Sequence, residues 1–216
     1  MLFNIYLIVL FICFCIGLRS VYYYRNIPLQ LKLFPWFIFL TFIIELIAKH
    51  SPIQQQIVLY NFFTAFEIVF LFYLLHGFLV TKWIRRALVY LIVIYPIAAA
   101  IYILLFHGIY QFHTITFLIG SVLLMFFSSY SLYELFFKKK ITKPSEDPSF
   151  WSALGILFFY SGSVSIALTC EFLELFSKTE IRLLNTLLLY INLLYYSLFA
   201  IAFLCIPKLQ KAQSAL

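Results

Sequence analysis

Hydrophobic residues in this chain gather into seven long blocks, at about 3–18, 33–49, 54–80, 86–106, 113–136, 149–174 and 182–206, separated by short polar stretches. A helix rising ~1.5 Å per residue needs about 20 residues to cross a ~30 Å hydrocarbon core. The pattern therefore predicts an all-α fold: a polytopic membrane protein built as a seven-transmembrane-helix bundle over residues 1–207, with a short tail at 208–216. Ser51 before Pro52 and Asp147 before Pro148 set a capping oxygen ahead of a first-turn proline and predict two helix starts. Pro207 is expected to stop the last helix.

Composition agrees with lipid as the solvent. Of 216 residues, 65% are hydrophobic and 11% charged, against about 25% charged in a soluble domain. The 27 Phe and 16 Tyr add apolar and interfacial packing surface.

Charge sets the expected direction of threading. Twelve of the 15 Lys and Arg residues fall in the first, third and fifth connections (Arg19, Arg25, Lys32; Lys82, Arg85, Arg86; Lys138, Lys139, Lys140, Lys143) and the tail (Lys208, Lys211). Basic residues near span ends stay cytoplasmic, so the amino terminus is expected outside and the carboxyl terminus in the cytoplasm, as a multi-pass protein of the cell inner membrane. Its first partner is then the lipid bilayer. The net charge of +7 is explained by cytoplasmic loops facing anionic lipid, and nucleic acid is not an expected partner. The first block reads as a retained span: no basic segment precedes it, Arg19 follows it, and no A-x-A cleavage site is present.

Cys13, Cys15, Cys170 and Cys205 all fall within spans. Two positions apart on a helix, Cys13 and Cys15 point about 200° away from each other, so no disulfide framework or thiolate metal site is expected.

Polar groups inside the spans carry the functional signal, because each costs free energy at mid-bilayer unless it faces protein, water or a partner. In the third block Gln56, Tyr60, Thr64 and Glu67 share one helical stripe running toward the midplane, and Glu67 is the leading ligand-binding candidate. Arg182, Asn185, Asn192 and Tyr196 share a stripe in the seventh block, as do Ser161, Ser165 and Thr169 in the sixth. Most of these map to the outer half and suggest a polar interior opening outward. The competing reading for the Ser, Thr and Asn positions is hydrogen-bonding glue between helices. Glu45, flanked by Thr41 and Lys49, is expected to pair with Lys49, and Glu134 is expected to form a surface pair with Lys138.

His50, His107 and His113 lie on the outer side, with Glu171, Glu174 and Glu180. They are weak candidates for a metal site, since six residues separate His107 from His113 and no H-x-x-x-H pair occurs; interfacial or hydrogen-bonded histidines are the expected alternative. No cofactor is called for.

The residues that known intramembrane chemistries need are missing. The seventh block has no lysine for retinal and no histidine to partner a rhomboid-like G-x-S-G serine, which Gly162, Ser163 and Ser165 only loosely mimic. Zinc-dependent seven-helix hydrolases need an intramembrane aspartate, and Asp147, the sole aspartate, falls in a loop. A non-enzymatic role is therefore expected. Inverted repeats and PQ dipeptides, which would favour a carrier, are also absent.

The runs Tyr60-Asn61-Phe62-Phe63-Thr64-Ala65-Phe66-Glu67, Phe112-His113-Thr114-Ile115-Thr116, Pro148-Ser149-Phe150-Trp151 with Gly155 and Phe158-Phe159-Tyr160, and Tyr196-Ser197-Leu198 through Phe203-Leu204-Cys205 resemble those of small, uncharacterised seven-helix proteins of Bacteroidetes-type bacteria. Such proteins are often encoded beside sensor histidine kinases, and their topology is similar to the seven-helix input regions of some kinases. The resemblance implies a signalling role and a sensor histidine kinase, or another signalling protein, as partner. The expected function is a non-catalytic sensor or signalling adaptor that binds a ligand in an outward-facing polar pocket and acts through a cytoplasmic partner. The alternatives are a small proton-coupled solute transporter and a scaffold subunit of a membrane complex.

Overall fold

The computed structural model describes residues 2–23, 27–138, 143–172 and 178–214. Among them there are seven α-helices and no strand: α1 (Leu2–Tyr23), α2 (Leu29–His50), α3 (Ile53–Phe78), α4 (Lys82–Ile101), α5 (Thr114–Tyr133), α6 (Pro148–Phe172) and α7 (Lys178–Ser214). α4 and α5 each run on into a π-helical turn, Tyr102–His107 and Glu134–Lys138. Each of the seven contains a stretch long and apolar enough to cross a membrane, which fits a multi-pass bundle.

The outward surface is apolar where a soluble protein would be polar. On α4 it carries Val89, Val93, Ile97 and Ile101, all exposed, and on α1 Ile8, Phe11 and Ile12. Charged side chains gather instead at the helix ends, where Lys82, Arg85 and Arg86 are exposed. A helix face that is oily all along its exposed length is matched to hydrocarbon rather than water.

Six helices close a ring in the order α1, α2, α3, α5, α6, α7 and back to α1, while α4 stands outside it, packed mainly on α3. One end of the ring carries the 51–52 and 108–113 connections, here the Ser51 end. The other carries 79–81 and 143–147, the Thr81 end.

The half toward the Thr81 end is solid. Phe34 meets Phe199 edge to face at 4.5 Å and Phe203 at 5.0 Å, and Phe37 stacks on Phe70 at 4.4 Å. Leu10, Ile68, Leu71, Ile156 and Ile206 fill the space between them, each fully buried. Between helices in lipid such packing acts through van der Waals contact, and each aromatic pair adds about 0.5–1.5 kcal/mol.

Three expectations about helix ends are corrected or sharpened. Pro207 does not stop α7, which continues to Ser214 with the proline inside it. Pro52 rather than Ser51 caps α3, and the Ser51 hydroxyl turns back to donate to the Ile47 carbonyl at 2.8 Å. A hydroxyl that can reach the last carbonyls of the preceding helix is drawn there before it can cap the next one. At Asp147 the expected arrangement holds: Oδ1 accepts from the Ser149 amide at 2.7 Å and the Ser149 hydroxyl at 2.5 Å, with Pro148 the first residue of α6.

Candidate functional site

At the Ser51 end the ring does not fill. A cavity of about 640 Å³ lies on its axis, lined by all six ring helices and by no residue of α4. Its mouth is set by Phe3 on α1, Phe112 and Thr114 before and at the start of α5, and the exposed Asn185 on α7. Its walls are Phe63, Phe117, Phe159 and Leu188, and its floor is Glu67 near the middle of α3, about 20 Å along the helix from Ile53 at ~1.5 Å per residue. Beneath Glu67 the solid half begins.

Glu67 is buried, with 8% of its surface exposed, and its carboxylate makes no hydrogen bond or ion pair with any described residue. Tyr196, buried on α7, lines the same cavity. Among the described residues three buried hydroxyls have no hydrogen-bond partner, those of Tyr160, Tyr195 and Ser163, and of these Ser163 lines the cavity. Buried polar groups are ordinarily satisfied. Here two exceptions, the Glu67 carboxylate and the Ser163 hydroxyl, share one space.

Glu45 stands higher in the same cavity and is corrected from the expected pairing with Lys49. Its two oxygens accept from Tyr6 at 3.1 Å and Tyr60 at 3.0 Å, while Lys49 donates to Asn4 Oδ1 at 3.1 Å and sits 5.5 Å from the Phe3 ring centre. The ammonium is drawn to the helix-end surface, where it stays hydrated, and two phenols satisfy the carboxylate instead.

Of the expected ligand-binding residues, the structure brings Tyr60, Thr64, Glu67, Asn185 and Asn192 to the cavity, with Tyr196 beside them. Gln56 is not among them: its amide donates to the Ser51 carbonyl at 2.8 Å and is held in the α2–α3 turn. Ser165 is likewise turned away and exposed, bonded to the Ser161 carbonyl at 2.9 Å, just as Thr169 bonds to Ser165 at 2.7 Å. The opposite face of α6 lines the cavity, through Phe159, Ser163, Ile166 and Ala167. The hydroxyl stripe misleads because a Ser or Thr within a helix can share the carbonyl four residues back, satisfy itself on its own helix and face lipid at little cost. The same back-bonding holds at Ser121, Ser128 and Ser152, whose hydroxyls turn to their own helix.

The residues that sequence reasoning missed are Tyr6 and Ser163. Tyr6 is the one hydroxyl-bearing residue in the first dozen positions of α1, and Ser163 follows Gly162, whose bare Cα lets the Ile191 side chain of α7 come within 2.7 Å of where a Cβ would stand. Close helix approach at a small-residue pair marks an inward face.

Two of the histidines, His113 and His50, are held by hydrogen bonds. His113 is fully buried, its Nδ1 2.5 Å from Thr116 Oγ1 and its Nε2 3.0 Å from the Asn61 carbonyl, and Asn61 Oδ1 accepts from the His113 amide at 3.2 Å. His50 Nδ1 lies 2.9 Å from the Leu46 carbonyl. No group of three metal-ligating residues is present among the described residues. The side chains of His107, Cys170, Glu171, Glu174, Glu180 and Arg182 lie outside the described residues.

Glu134 is also corrected. It is fully buried rather than on the surface, and although Lys138 reaches it at 3.2 Å, it also accepts from the Val80 amide at 2.6 Å, the Thr81 amide at 3.0 Å and the Thr81 hydroxyl. It binds the α3–α4 turn to α5 at the end away from the cavity.

No protein-family model, curated protein or solved structure matches this chain.

Proposed function

We propose that this protein is a non-catalytic sensor or signalling adaptor of the bacterial inner membrane, taking a ligand into the ring cavity from outside and acting through a cytoplasmic partner. The observation that carries the reading is a cavity at the Ser51 end of the ring whose floor is a carboxylate with no partner among the described residues. Ligand sites are typically concave, largely apolar spaces of about 300–1,000 Å³ with a few convergent polar groups, and the cavity has that make-up. The solid half beneath Glu67 supports binding without passage. The basic flanks at Lys82, Arg85, Arg86 and Lys138 support a cytoplasmic Thr81 end, and therefore a cavity that opens outward.

A ligand shifts a conformational equilibrium only through differential contact with its states. All six ring helices touch the cavity, so a bound molecule acts on each of them, and those helices carry its effect to the cytoplasmic end. There a signalling protein, of which a sensor histidine kinase is the favoured kind, reads the change. A proton-coupled carrier is the competing reading, favoured by the partnerless Glu67.

Access decides the matter. In a full-length chain with its four native cysteines replaced, Ser163→Cys is expected to react with a small charged thiol reagent added to spheroplasts and to resist the same reagent added to inside-out vesicles. Reaction from the cytoplasmic side alone, or from neither side, overturns the outward pocket. Reaction from both sides supports the carrier.

A further inference from the structure

Among the described side chains three glutamates lie within the spans, and they are satisfied in sharply different degrees. Glu134 takes two amides, a hydroxyl and an ammonium. Glu45 takes two phenols. Glu67 takes nothing, although it is nine-tenths buried. A carboxylate removed from water is costly unless it is paired and hydrogen-bonded, so the missing partner has to come from the cavity or the group has to carry a proton.

Among the described residues no Lys or Arg lines the cavity. Lys49, at the rim, is already engaged by Asn4 and the Phe3 ring. Among the described residues, then, two carboxylates share one space with no cation between them, which repels an anion and attracts a cation. The walls suit the same charge: Phe3, Phe63, Phe117, Phe159 and Tyr196 present rings, and a ring face attracts an ammonium by about 0.5–2 kcal/mol. The hydroxyl of Ser163, buried and unpartnered, adds an acceptor beside the floor.

We propose that the cavity recognises an amphipathic organic amine, whose ammonium docks on Glu67 at the floor and whose apolar or aromatic body lies along the phenylalanine walls. An ammonium carries three donors, enough to engage Glu67 and the acceptors nearby at once. A cavity of about 640 Å³ leaves room for a body of two or more rings' bulk. The proposal rests on the pocket reading above and adds the chemical class of its ligand.

The test uses the full chain in phosphatidylcholine nanodiscs and three probes of one shape: 4-phenylbutylamine, 4-phenylbutanol and 4-phenylbutyrate. By titration calorimetry the amine is expected to bind at least about tenfold more tightly than the alcohol, the size of effect a charge-assisted contact gives, and the carboxylate is expected not to bind. Glu67→Gln is expected to bring the amine's affinity down to about the alcohol's, and an unfolding midpoint no lower than that of the unaltered chain shows that the variant is folded. Equal binding of amine and alcohol, tighter binding of the carboxylate, or a preference that survives Glu67→Gln overturns the amine assignment. So does the binding of none of the three. If residue 163 is reachable by the thiol reagent in those cases, the pocket stands and only the ligand class fails; if it is not, both fail together.

Discussion

Thr81 offers both its backbone amide, at 3.0 Å, and its hydroxyl to the single carboxylate of Glu134, across the gap between the α3–α4 turn and α5. The Val80 amide joins it at 2.6 Å, so the first free N–H groups ahead of α4 are satisfied by a side chain from another helix. α4 has no capping side chain of its own at Thr81. Its start therefore depends on Glu134. Glu134→Ala is expected to lower stability by about 2 kcal/mol, the cost of stranding buried donors, read as a lower unfolding midpoint in detergent. Lys138→Ala is expected to cost much less, because that ammonium is 41% exposed and hydrated. Equal losses would show that the ion pair, not the amide clamp, holds the turn.

Glu67 predicts the opposite sign. A carboxylate with no protein partner, held in the interior, opposes folding, and its replacement by a neutral side chain of the same shape relieves that cost. Glu67→Gln is expected to raise the unfolding midpoint of the ligand-free protein, by about 1 kcal/mol of stability, the usual gain when a functional group is removed from a strained site. An unfolding curve that moves down would mean that the carboxylate contributes to holding the ring together.

Asn61 and His113 form a second clamp, at the mouth. Asn61 Nδ2 donates to the Ile109 carbonyl at 3.1 Å and the Gln111 carbonyl at 2.8 Å, and Oδ1 receives the His113 amide. One buried side chain thus satisfies most of a connection that has turned through Gly108, whose φ of 85° suits glycine alone. Asn61→Leu is expected to raise hydrogen exchange in 109–113 by about tenfold or more, at about 1 kcal/mol per lost bond. Unchanged exchange there would mean that the connection is held by its own packing. Because both ring nitrogens of His113 are engaged, added zinc is not expected to slow that exchange.

Block length and apolar content made seven helices legible in the sequence, because a span in lipid has to satisfy its own backbone and can do so only as a long helix. The stripe from Tyr60 through Thr64 to Glu67 was legible for a related reason: a carboxyl on an otherwise oily helix has to point inward. Ser165 and Gln56 were not, since whether a hydroxyl or amide faces the cavity depends on whether a nearby carbonyl can take it first. Glu45 illustrates the same limit over a longer reach. Lys49 is four residues away along the chain, yet the donors that satisfy Glu45 lie 39 and 15 positions off, on two other helices. The exclusion of α4 from the ring likewise depends on helix order, which hydropathy does not carry.

That exclusion can itself be tested at Gly120. A Cβ there would stand 2.7 Å from Ile68 Cδ1 and 2.8 Å from the Tyr95 hydroxyl, where α3, α4 and α5 meet. Tyr95 is buried on α4 and donates to the Thr116 carbonyl of α5 at 3.2 Å, one of the ties between the outer helix and the ring. A branched side chain at this point has to push Tyr95 away, breaking that bond and overpacking the seam at a cost of about 1–3 kcal/mol. Gly120→Val is therefore expected to increase hydrogen exchange along α4 while leaving the reactivity of Ser163→Cys within about twofold, since no α4 residue lines the cavity. Loss of cavity access together with α4 protection would show that the outer helix braces the ring, and would make α4 the element through which a bound ligand is felt.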